Sequence, residues 1–253
     1  KTHRAARWMG WYQNTRASKQ LIASFCKEYQ IIMNDFILPA DGYSSFNNFF
    51  TRALKPGARQ FPENPQTIVS PADGKLFVIK NVTEHSTFFV KELPFNLATF
   101  LGNTTQAQPL SNGTLCMFRL APYDYHRFHA PLDGTIEQII RIPGTLESVN
   151  PIAFMTGVQP LTVNERIVIL VKTATTGTIA IVAVGALFVG SITLTCKQGD
   201  YIKRGDELGM FAFGGSTVVV LFPANTIAPK ASFLTHSLQG YETAVTLGTA
   251  ITE

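Results

Sequence analysis

The chain has 253 residues, 45% of them hydrophobic and 15% charged: enough apolar side chain for an ordinary core, and the wrong balance for a disordered chain or a coiled coil. Nineteen Phe, together with 19 Gly and 14 Pro, describe short strands joined by many turns, so the fold class expected is α+β, mainly β. The formal charge of +4 is uneven, because Lys1, Arg4, Arg7, Arg16, Lys19 and Lys27 all precede the first acid, Glu28, leaving 15 basic against 17 acidic residues for the remainder. A basic arm on a slightly acidic body suits an anionic lipid surface or a solvated start, and argues against a nucleic-acid binder.

From Thr15 to Phe36, Leu21, Ile22, Phe25, Tyr29, Ile32, Met33 and Phe36 recur at spacings of three and four, which predicts one amphipathic helix ended by Pro39. Trp8, Met9, Trp11 and Tyr12 lie among the arginines before it. Such interleaving suits contact at the level of lipid headgroups, with Trp8, Trp11 and Phe25 as inserting residues; packing of the same rings on the body is the competing reading. A second short helix is expected to start at Ser44 or Ser45 and carry Phe46, Phe49 and Phe50 inward. Residues 1–56 thus read as a basic helical segment and 57–253 as a β-rich unit.

Strands are expected at Thr67–Ser70, Leu76–Val82, Gly113–Leu120, Thr135–Ile142, Ile167–Lys172, Thr178–Val184 and Val218–Phe222. Asp73-Gly74, Asp133-Gly134, Gly199-Asp200 and Arg204-Gly205-Asp206 supply turns. The run from Lys197 to Met210 looks like the paired Gly-Asp turns of lipoyl-type domains, so the body is expected to be barrel-sandwich-like. Cys26, Cys116 and Cys196 are too few and too scattered for a disulfide framework or a zinc site; buried free thiols are expected, and no metal. The longest apolar run, Ile179–Gly190, falls short of the roughly 20 residues that cross a bilayer. No signal peptide is visible, and the opening Lys1 leaves room for upstream targeting sequence.

Three stretches carry residues capable of chemistry. Ser70-Pro71-Ala72-Asp73-Gly74 puts a carboxylate in a tight turn before a strand, where alone it would only cap its own backbone. Tyr123-Asp124-Tyr125-His126-Arg127-Phe128-His129 places two of the five histidines three apart; on extended chain they point to opposite sides, which suits two separate acid/base tasks better than one metal. Phe213-Gly214-Gly215-Ser216-Thr217 sets a hydroxyl behind two glycines, which read alone is a glycine bulge between strands.

Together these stretches resemble the phosphatidylserine decarboxylases, which cut their own chain at a G-S-T or G-S-S motif to make a pyruvoyl cofactor. The resemblance extends to Phe49-Phe50-Thr51-Arg52, Leu54-Lys55-Pro56-Gly57-Ala58-Arg59, Asn164-Glu165-Arg166, Val184-Gly185-Ala186 and Val189-Gly190-Ser191-Ile192. Gly214-Gly215-Ser216-Thr217 departs from the L-G-S-T of the best-known members and looks like a second subgroup, which leaves compartment and substrate more open.

The resemblance implies a catalytic set of Asp73, His126, His129 and Ser216. A serine hydroxyl needs a base to become a nucleophile, and His129 oriented by Asp73 would take its proton. Ser216 would then attack the Gly215 carbonyl, dividing the chain into 1–215 and 216–253. The pyruvoyl group made from Ser216 is the implied cofactor, serving as electron sink for an amine-bearing substrate, and His126 would return the proton to the substrate carbon. The substrate implied is phosphatidylserine at a membrane surface, the expected location peripheral, and the expected state a homodimer. Two other readings are a pyruvoyl decarboxylase of a free aromatic amino acid such as tryptophan, and a lipoyl-like binding module.

Overall fold

The computed structural model describes residues 10–83, 95–148, 160–186, 192–214 and 216–253. Trp8, Met9, Gly215 and the 189–191 motif lie outside them.

The helix expected over 15–36 is broken into pieces. Arg16–Gln20 is a 3-10 turn, α1 spans Leu21–Glu28, and Met33–Asp35 is another 3-10 turn. α1 ends because Gln30 adopts φ +52° and the Ile31 N–H closes back on the Cys26 carbonyl at 3.0 Å, the six-to-one bond of a Schellman ending. The apolar period outlasts the helix because Ile31 and Met33 pack, without helical geometry, on the cluster that already takes Leu21, Ile22 and Phe25. Periodicity reported the buried side of the segment, and the break fell on a residue with no glycine to announce it. Phe25 is packed rather than free to insert, its ring edge-on to Phe46 at 5.1 Å. Trp11 remains 63% exposed. α2, Phe46–Phe50, starts where expected: Ser45 Oγ accepts the Asn48 N–H at 3.1 Å.

The body is mainly β. Six expected strands are present: β1 (Gly74–Val82), β2 (Gly113–Leu120), β4 (Gly134–Ile142), β5 (Arg166–Thr173), β6 (Gly177–Gly185) and β10 (Ser216–Phe222). Thr67–Ser70 is not a strand, since Val69 makes a single bridge to Ala250. Little in the residue pattern announces β3 (Arg127–His129), β7 (Ile192–Leu194), β8 (Tyr201–Ile202) and β11 (Thr243–Val245), two or three residues each, or the five-residue β9 (Glu207–Phe211) beyond its aromatic end. Such short runs carry no full period of alternation.

The strands form an eight-stranded antiparallel sheet, ordered β11-β1-β2-β10-β6-β5-β4-β8, and a three-stranded sheet, β3-β9-β7. Among the described residues the large sheet does not close into a barrel, and β11 and β8 are the outer strands of its order. One face packs Leu76, Phe118, Ile169, Ile181 and Val220 against Phe128, Leu208 and Phe211 of the small sheet. The other packs Phe77, Met117, Val182 and Val219 against α3 (Leu97–Leu101) and the turns that follow it. Covered on both faces, β10 is buried along its whole length, which is why it reads as an unbroken apolar run. Cys116 is buried, whereas Cys26 and Cys196 are half-buried. Among the described residues no helix is long and apolar enough to cross a membrane.

Candidate active site

Antiparallel pairing brings the start of β1, the end of β2 and the start of β10 to one end of the large sheet. Ser216 lies opposite Leu120 on one side and Gly185 on the other. Gly74 begins β1 where a Cβ would stand 2.7 Å from the Arg119 carbonyl oxygen, so glycine permits the close approach of β1 and β2 that delivers Asp73 to this end. Gly214 has φ +145°, a conformation that favours glycine, on the linker leading from β9 in the small sheet to β10 in the large one.

Ser216 is fully buried, and its Oγ lies 3.1 Å from His126 Nδ1. The opposite ring nitrogen, Nε2, lies 2.9 Å from the Ala121 carbonyl, which can only accept. The proton therefore sits on Nε2, and Nδ1 is free to accept the serine O–H. Burial, reinforced by the positive charge of Arg52, pushes His126 down to about 3, so it is neutral. Its ring stacks on Phe50 at 3.9 Å.

His129 points elsewhere, as alternation along an extended segment predicts. Its Nδ1 donates to the Gly205 carbonyl at 2.8 Å, and its Nε2 accepts the Tyr125 O–H at 3.1 Å. Burial lowers its basicity, while the Gly205 carbonyl and the carboxylates of Glu207 and Asp73 act in the opposite sense. Asp73 is held by a fork from Arg59, Nε to Oδ1 at 3.2 Å and Nη2 to Oδ2 at 2.6 Å, and by the Leu247 N–H at 2.8 Å. Arg59 also reaches Asp35, tying the N-terminal segment to the Asp73 turn. Among the described residues, neither Asp73 nor Ser216 is a hydrogen-bond partner of His129. The structure thus seats His126 on Ser216 and holds Asp73 and His129 on other groups.

Two further residues belong to the wall of the site. Asp124 Oδ2 accepts the Ala121 N–H at 2.7 Å, and burial pushes its carboxyl up to about 6. Arg52 is buried, donates from Nη2 to the carbonyls of Tyr123 and Asp124, and lies over the rings of Phe36 and Phe49. Both stand inside stretches that the sequence singles out, but nothing in their spacing marks them. Their signal is burial of a charge, which appears only on folding.

The phosphatidylserine decarboxylase family profile matches residues 46–250. The chain is 40% identical over 246 residues to the phosphatidylserine decarboxylase proenzyme of Chlamydia trachomatis, covering 97% of this chain and 82% of that one. It is 39% identical over 241 residues to the proenzyme of Fusobacterium nucleatum, covering 95% and 80%. It is 39% identical over 232 residues to proenzyme 3 of Schizosaccharomyces pombe, covering 91% of this chain but 24% of that longer protein. With the profile spanning most of its length, this chain belongs to the phosphatidylserine decarboxylase family.

Proposed function

We propose that this protein cuts itself between Gly215 and Ser216, converts residue 216 into a pyruvoyl group, and decarboxylates phosphatidylserine to phosphatidylethanolamine. The observation that carries this reading is the Ser216 hydroxyl, buried at the start of β10 and 3.1 Å from an unprotonated ring nitrogen.

Ser216 Oγ attacks the Gly215 carbonyl carbon as its proton passes to an imidazole. The peptide C–N bond then breaks, the nitrogen of residue 216 takes a proton, and an ester joins Gly215 to the Ser216 side chain. Loss of the Ser216 α-proton expels the Gly215 carboxylate, and water converts the residue left behind, with release of ammonia, into the pyruvoyl group. The site fits this product. Gly214 already holds a bent conformation beside the scissile bond, and the linker joins strands of different sheets, so the cut ends can part without breaking either sheet. β10 stays paired to β2 and β6 and buried throughout, which retains the small chain 216–253. Once formed, the group supplies a carbonyl that accepts the electron pair left by carbon dioxide. His126 stays beside position 216 and is the residue placed to return a proton there.

For the cutting step, the contact with Ser216 favours His126 as proton acceptor. A second reading assigns that step to His129 with Asp73, favoured by the two carboxylates that support the basicity of His129. It requires His129 to exchange Tyr125 for Ser216, and catalytic hydrogen bonds do tighten only as a reaction proceeds.

Substrate reaches the site from a lipid surface. Tyr123, in the same loop as His126, has its ring centroid 5.5 Å from that of Tyr29, the two rings tilted by 31°, and both are partly exposed. Ile32 and Leu38 are 72% and 68% exposed nearby in the chain, and Lys27 lies in the last turn of α1. Exposed apolar side chains with a cation in the same segment suit an interface containing anionic lipid.

The test is an intact mass of the purified protein, followed by hydroxylamine trapping and product analysis. Two chains, a trapped carbonyl on the smaller one, and phosphatidylethanolamine from phosphatidylserine vesicles are expected. An uncut chain overturns the self-cleavage, and turnover of free tryptophan alone overturns the lipid substrate.

A further inference from the structure

α2 and the residues just after it touch both partners of the cutting reaction. Asn47 Oδ1 accepts the Phe213 N–H at 2.9 Å, two residues before the scissile bond. The Phe213 ring lies edge-on to Phe46 and to Phe50, each at 5.2 Å. Phe50 also stacks on His126, and Arg52 binds the Tyr123 and Asp124 carbonyls of the loop that carries it. Arg52 does this at a cost: Nε and Nη1 have no hydrogen-bond partner among the described residues, and the guanidinium makes no ion pair there. A buried charge without a counter-ion is a poor device for stability. Its two bonds hold the carbonyls of Tyr123 and Asp124, in the loop that carries His126.

Resting on the self-cleavage reading, we infer that α2 is a processing clamp, in which Asn47 positions the scissile linker and Arg52 positions the loop bearing His126. The two contacts are separable from general packing. Asn47 spends its Nδ2 on Asn14 at an exposed site, so the acceptor toward Phe213 and the donor toward Asn14 can be tested apart. On this account the N-terminal segment is part of the machinery that makes the cofactor, in addition to any contact it makes with lipid.

The experiment follows conversion of freshly translated precursor on a denaturing gel, with Ser216→Ala alongside. Asn47→Leu, which keeps the volume and loses the acceptor, should slow conversion about tenfold, the order expected for one lost positioning bond. Asn47→Asp keeps an acceptor for the Phe213 N–H and should convert within about threefold of wild type, and Asn14→Ala should convert like wild type. Arg52→Lys, which keeps the charge but removes the Nη2 donors from their place at the end of the longer, planar side chain, should slow conversion by a similar factor. Equal slowing by Asn47→Leu and Asn47→Asp, or wild-type conversion in Asn47→Leu or Arg52→Lys, overturns the clamp. Should Asn47→Leu be insoluble, the comparison of Asn47→Ala with Asn47→Asp gives the same decision. A wild-type chain that stays whole, or a Ser216→Ala chain that is cut, overturns the self-cleavage reading instead, so the two failures are distinct.

Discussion

Ser216 Oγ and His126 Nδ1 are 3.1 Å apart with 90 positions of sequence between them. The contact joins the first residue of β10 to the loop after β2, and both side chains are shut off from water. In that setting an unprotonated imidazole and a hydroxyl share one proton, which is the arrangement a serine nucleophile needs. Ser216→Ala is therefore expected to accumulate as one uncut polypeptide with no trappable carbonyl. Two fragments on a denaturing gel would remove Ser216 from its role.

The two histidines are separated by a pair of alanine variants. His126→Ala should give no turnover, because no other described side chain is hydrogen-bonded to Ser216. The gel then decides the cutting step. An uncut His126→Ala with a cut His129→Ala assigns it to His126, and the reverse pattern assigns it to His129 with Asp73.

Acid stability should reflect two opposed groups. His126 falls from 6.5 to about 3, so between those values the unfolded chain takes up a proton that the folded chain refuses, and stability drops as pH falls. Asp124 rises from 3.8 to about 6, so in that window the folded carboxyl keeps the proton more readily, and stability gains as pH falls. Asp124→Asn, which retains an acceptor for the Ala121 N–H, should therefore lose more melting temperature than wild type between about pH 7 and about pH 4.5. Scanning calorimetry at several pH values checks this, and an unchanged slope would sink it.

Arg59 and Asp73 should be strongly non-additive. Both side chains are largely buried, at 14% and 13% exposure, so Arg59→Met strands a carboxylate and should cost about 3 kcal/mol. Adding Asp73→Asn removes the stranded charge, and the double variant should be more stable than Arg59→Met alone. Urea unfolding of wild type, Arg59→Met, Asp73→Asn and the double variant measures the coupling; simple additivity would show that the fork contributes nothing.

Membrane contact is tested with the exposed residues rather than the packed ones. Ile32→Asp or Trp11→Ser should reduce co-sedimentation with vesicles containing phosphatidylserine, while turnover of a short-chain soluble phosphatidylserine is retained. Equal loss on both substrates would place these residues in folding instead.

Much was legible in the residues themselves. Long apolar runs announced the buried strands and Ser44 or Ser45 announced the start of α2, whereas Asp73, His126, His129 and Ser216 became candidates together only through the family resemblance, since each stretch read alone is a turn, an extended segment or a bulge. Local chemistry sufficed for the strands and the cap, because each is decided by neighbours within a few positions. Alternation likewise separated the two histidines onto opposite sides of one segment.

Which histidine meets Ser216 was decided only by tertiary structure. So were the fork from Arg59 to Asp73 and the bond from Asn47 to Phe213, whose residues stand 166 positions apart. The helix over 15–36 looked continuous because Leu21, Ile22, Phe25 and Met33 share one cluster, yet Gln30 turned the chain and left Ile32 exposed. Sequence settles what each residue can do and which way it points along its own strand. Its partner depends on the register and order of strands brought together from distant parts of the chain, and on the burial that withdraws water from them.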